Sequence, residues 1–88
     1  MKYDIKLGKY QRCYSAVDGF TTATVDDMVV KLYCMSSDMS TTNVVIANGV
    51  AYTRTNLHGD IDIPSFKGSW ISSDGSQIPE WVDYIVNM

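Results

Sequence analysis

In "KYDIKLGKYQRCYSAV" apolar and polar residues alternate on both sides of Gly8-Lys9. A Gly-X pair suits a two-residue II′ turn. With that turn, Leu7 faces Tyr10, Ile5 faces Arg12 and Tyr3 faces Tyr14 on one side. Lys2, Asp4, Lys6, Gln11, Cys13 and Ser15 take the other. A slip of one residue would mix the two sets, so the pattern supports the register. Tyr3, Ile5, Leu7, Tyr10 and Tyr14 are expected to pack inward. "NVVIANGVAYTRTN" is the stronger signal, because Asn-Gly is the preferred I′ pair and β-branched residues flank it. Pairing outward joins Ala47 to Val50, Val45 to Tyr52 and Asn43 to Arg54 on one face. Val44, Ile46, Ala51 and Thr53 occupy the other. Both faces are apolar near the turn, so either both are covered or one is left for something else.

The remaining segments follow the same logic. Asp18-Gly19 marks a turn, and Phe20–Ala23 suits a short extended piece. In "TVDDMVVKLYCM", Val25, Met28, Val29, Leu32 and Tyr33 recur as one stripe of a helix. Thr24 would be its N-cap, and Asp26 and Asp27 would sit at the positive end of its dipole. A strand through "MVVKLYCM" is the rival reading. "SSDMSTTN" reads as loop, "GDIDIP" as a fifth strand stopped by Pro64, and "FKGSWISS" as a sixth. Asp74-Gly75 turns the chain. "SQIPEWVDYIVNM" closes it as a helix capped by Ser76 or Gln77, with Pro79 near N1 and a stripe of Ile78, Trp81, Val82 and Ile85. The expected fold is α+β: a single domain over residues 1–88, an antiparallel sheet of five to six strands with two short helices.

Composition narrows the class. The chain has 88 residues, 45% of them hydrophobic and 19% charged, which suits one folded domain and not a disordered chain. A domain this short buries only about 60% of its unfolded surface, so its core is modest. Seven basic residues against ten acidic ones give a net charge of −3, which argues against sequence-independent nucleic-acid binding. Lys2, Lys6, Lys9 and Arg12 cluster near the start and read as the solvated face of a strand. The first residues lack the apolar core of a signal peptide, and no run reaches membrane-span length. Those features lead to expectations of a cytoplasmic protein, no membrane association, and Cys13 and Cys34 as reduced thiols, with a disulfide the alternative if their two elements sit side by side.

Candidate chemistry is sparse. In "HGDID" on a strand, His58, Asp60 and Asp62 would share a face, but they would span about 13 Å, too far for one ion. With His58 the sole histidine, no metal and no cofactor is expected. No nucleophile elbow, G-x-G-x-x-G or Walker A motif is present, so an enzyme is not expected. The expected function is therefore binding of another protein, as a monomer or small homo-oligomer. Small free-standing chains of this kind include viral and phage accessory proteins that inhibit host enzymes or defence complexes. The rival reading is a small enzyme or ligand-binding module using the Asp60/Asp62 strand face. If the helices cover Val44 and Ile46, then Tyr52 and Arg54 form an exposed centre with Asp60 and Asp62 at its rim.

Overall fold

The computed structural model describes residues 3–8, 21–62 and 64–87. Six antiparallel strands form one sheet: β1 (Ile5–Leu7), β2 (Thr21–Val25), β3 (Met28–Ser36), β4 (Ser40–Ala47), β5 (Val50–Leu57) and β6 (Ile71–Ser72). Each strand lies beside its neighbour in the sequence, in the order β1-β2-β3-β4-β5-β6. One helix, α1 (Glu80–Val86), completes the described elements. Among the described residues it is the only helix, so the expected first helix is corrected.

The reason lies at Asp26 and Asp27. Their φ angles are 49° and 70°, both left-handed, and they turn the chain from β2 into β3. Asp tolerates this conformation, which a two-residue I′ hairpin requires at both central positions. Asp26 fixes the turn further. Its Oδ1 accepts from Asp4 N–H at 2.7 Å, and its own N–H donates to the Asp4 carbonyl at 2.9 Å. Thr24 is then a strand residue and not a helix cap. Through β3 the side chains alternate, with Val30 buried and Val29 exposed beside it.

The second hairpin has the register the sequence predicts. Val45 pairs with Tyr52, Asn43 with Arg54 and Ala47 with Val50 around Asn48 (φ 51°) and Gly49 (φ 78°). Of the first hairpin, the turn at Lys9 and its second arm lie outside the described residues. The described partner of β1 is β2, with Ile5 opposite Val25 and Leu7 opposite Ala23. Tyr3 and Ile5 pack against the core, while Asp4 and Lys6 are exposed, as expected. Leu7, expected inside, is 39% exposed.

The fifth expected strand is also corrected. Residues 58–62 form a loop, in which Asp62 N–H donates to Asp60 Oδ1 at 2.8 Å and Gly59 N–H to Ser65 Oγ at 3.1 Å. The chain rejoins the sheet only at Phe66, which bridges Leu57, and at β6. Helix α1 begins after Pro79, whose φ of −65° and ψ of 147° are extended, so Pro79 and not Ser76 or Gln77 holds the N-cap position. No side chain caps the helix there.

The core sits between α1 and one face of the sheet. Ala23, Val25, Val30, Val45, Ala47 and Tyr52 meet Trp81, Val82 and Ile85. Val30, Val45 and Val82 are fully buried, each a contribution of about 1.5–3 kcal/mol by transfer from water. Cys34 lies on this same face, opposite Asn43, whose Nδ2 donates to its Sγ at 3.6 Å. Cys34 is disulfide-bonded, which corrects the expectation of a reduced thiol. The redox state of a cysteine follows from whether a second sulfur lies within bonding reach, which the local pattern around Cys34 does not report. Cys13 lies outside the described residues.

Candidate partner-binding surface

The helix takes the face opposite to the one expected. Tyr52 is 7% exposed, and its ring meets Trp81 edge to face with centroids 6.2 Å apart. Arg54 is 4% exposed. Its guanidinium stacks 4.8 Å from the Trp70 ring centroid and donates to Asp83 Oδ1 at 2.6 Å. Trp70 Nε1 donates to the same oxygen at 3.0 Å. The Trp70 hydrogen bond, then the nearby charges of Arg54 and Lys67, hold the Asp83 carboxyl below its ordinary range, against a desolvation that pushes it up. Arg54 Nε is buried and has no hydrogen-bond partner among the described residues. Tyr52 and Arg54 are therefore parts of the seam between helix and sheet, and their expected exposure is corrected. Asp60 and Asp62 are exposed, but on the loop after β5 and on no strand face.

Among the described residues no helix lies on the other face. The pairing sets its rows: Lys6, Thr24 and Val29; Thr22, Lys31, Ile46 and Ala51; Tyr33, Val44, Thr53 and Ile71; Met35, Thr42 and Thr55; Ser40, Leu57 and Phe66. Nine large hydrophobic residues are exposed among the described residues, and five of them, Val29, Met35, Leu57, Phe66 and Ile71, lie on this one face. Ile71 is 70% exposed, Val29 60% and Phe66 58%, with half-buried Val44, Ile46 and Thr53 between them. The arrangement is a shallow strip of apolar residues interspersed with threonine hydroxyls and the exposed Lys6 and Lys31, and Thr42 and Thr55 bond each other at 3.0 Å.

Exposed carboxylates stand at both ends of this strip. The turns at one end carry Asp26, Asp27 and Asp74. The turn before β4 and the loop after β5 carry Asp38, Asp60 and Asp62 at the other. The loop is pinned near the sheet by His58, whose N–H donates to the Met39 carbonyl at 2.9 Å and whose Nε2 lies 2.8 Å from Thr41 Oγ1. In the sequence the strip's central residues are one face of the second hairpin, and their cover by helices was the condition on which Tyr52 and Arg54 would be exposed. The signal for this face is Phe66, Ile71 and Val29, three large apolar residues that stay exposed in the fold.

Among the described residues no helix is long and apolar enough to cross a membrane. Comparison with protein-family models, with curated proteins and with solved structures finds no match.

Proposed function

We propose that this protein works by binding another protein through the sheet face that α1 leaves uncovered. The observation that carries this reading is the gathering of Val29, Met35, Leu57, Phe66 and Ile71 on that face. Contiguous exposed apolar surface with a polar rim is how interaction sites differ from ordinary surface. The rim is acidic at both ends, so the fitting partner presents an apolar patch flanked by lysine or arginine. Asp60 and Asp62 keep a rim role in this reading, acting on association rate and salt dependence more than on final affinity. The catalytic alternative at Asp60 and Asp62 loses its premise, because no strand aligns the two carboxylates and Asp60 holds the backbone of its own loop.

The test compares three variants in affinity capture from the source organism's extract. Phe66→Asp and Ile71→Asp should each weaken capture of a wild-type-bound protein by more than about 1 kcal/mol. Their melting curves should stay within about 0.5 kcal/mol of wild type, as exposed positions allow. Tyr84→Asp, exposed on the helix side, should leave capture intact. Loss with Tyr84→Asp alone would place the binding surface on the helix and defeat the reading.

A further inference from the structure

We propose that Asn48 is a site of spontaneous covalent modification, by cyclisation onto Gly49 and opening to aspartate or isoaspartate. Both residues are exposed, at the tip of the β4–β5 hairpin. The pairing closes between Ala47 and Val50, which leaves the Gly49 N–H outside the strand ladder and open to solvent base. Beyond the chain neighbours, nothing among the described residues lies within 4 Å of where a Gly49 side chain would be, so the outer side of the turn is open. The contact that restrains the Asn48 amide is weak: Nδ2 donates to Met28 Sδ at 3.2 Å.

The step balances without an external reagent other than water. The Gly49 nitrogen loses its proton and attacks Asn48 Cγ. The new C–N bond forms as the Cγ–Nδ2 bond breaks, and ammonia leaves carrying the displaced proton. Water then opens the succinimide at either carbonyl. One route gives aspartate, which keeps the backbone length and a residue the turn accepts. The other gives isoaspartate, which threads the backbone through the former side chain. The added methylene breaks the Ala47–Val50 pairing, and with it the register of β4 against β5.

The chain carries its own controls. Asn43 and Asn56 lie within β4 and β5, followed by Val44 and Leu57, and Asn87 precedes Met88. The experiment incubates the folded protein at body temperature in mildly alkaline buffer and follows each asparagine by peptide mass mapping, with isoaspartate scored by enzymatic methylation. Asn48 should convert at least roughly tenfold faster than the three controls, and faster still as pH rises, because the attacking nitrogen must lose a proton. Gly49→Ala should slow it by a further roughly tenfold by hindering ring closure. Conversion no faster than at Asn43 and Asn56 would overturn the proposal. So would a Gly49→Ala rate equal to wild type, since direct hydrolysis would then be the route. Melts of the aged protein complete the test: a second, lower transition should grow in step with isoaspartate, and its absence would remove the structural consequence.

Discussion

Arg54 is a charge placed inside a small core, and the surrounding residues explain why it is tolerated. Asp83 supplies the counter-charge and Trp70 a ring face, while Trp70 and Arg54 share one carboxylate oxygen. Removing one member of such a pair costs more than the pair contributes, because the other charge is left uncompensated. Asp83→Ala should therefore destabilise by about 2–3 kcal/mol in urea titrations, less than a fully buried pair because the Asp83 side chain is 48% exposed. The pH dependence has a definite sign. The folded-state pKa of Asp83 is depressed, so its contribution is fully present above the ordinary aspartate value of about 3.9 and is lost as pH falls through the lower folded value. The urea midpoint of wild type should drop across that acid window, and Asp83→Asn should flatten the drop. The two I′ turns show what a residue pair does and does not disclose. Asn48-Gly49 was legible because glycine there signals a positive φ. Asp26-Asp27 hid the same geometry, because acids before an apolar run also suit a helix start. Asp27→Gly should relieve the left-handed strain and raise stability by about 0.5 kcal/mol in thermal melts. Asp26→Gly should gain less, since the carboxylate that accepts from Asp4 N–H is lost.

At the scale of elements, β3 was ambiguous for a physical reason. Met28, Val29, Val30, Leu32, Tyr33, Cys34 and Met35 are so nearly continuous in apolarity that the helical and the alternating template both fit. What decides is the partner strands on either side, which no local pattern reports. The segment from Phe66 to β6 was read as a full strand and is instead an interrupted one. Gly68 explains the interruption: a Cβ there would sit 2.1 Å from the Thr55 carbonyl oxygen, so the two backbones touch where a ladder would hold them apart. The Gly68 N–H donates sideways, to Asn56 Oδ1 at 3.0 Å. Gly68→Ala has no room and must push the segment outward. It should cost about 1–3 kcal/mol and, by loosening Trp70 from Arg54 and Asp83, shift the tryptophan emission to the red. The α1 stripe was read correctly at Trp81, Val82 and Ile85, all buried. Its start was placed too early because Pro79 was assigned to the first turn, whereas its extended ψ places it just outside.

For the whole molecule, an antiparallel sheet and the register of the β4–β5 hairpin were legible in the sequence, but not the face on which the helix lands. Both sides of that hairpin are apolar, so the choice is made by contacts distant in the chain: Trp81 against Tyr52, and Asp83 against Arg54. That choice decides which residues are seam and which are surface, and the candidate site inverted with it. The strand order has a kinetic consequence as well. Because every strand pairs with its neighbour in sequence, most of the sheet forms by closing short loops, whose entropic cost is small. β1 and β6 are the exceptions, since the stretches from Leu7 to Thr21 and from Leu57 to Ile71 are equally long and far exceed the two-to-three-residue turns between the other strands. Folding should therefore begin at the Asn48-Gly49 hairpin and add β1 and β6 late. In stopped-flow measurements Val45→Ala should mainly slow refolding, whereas Ile5→Ala should leave refolding nearly unchanged and speed unfolding. A sheet assembled in this order takes on β1 and β6 last, so the path by which the chain comes apart begins where the path of assembly ends.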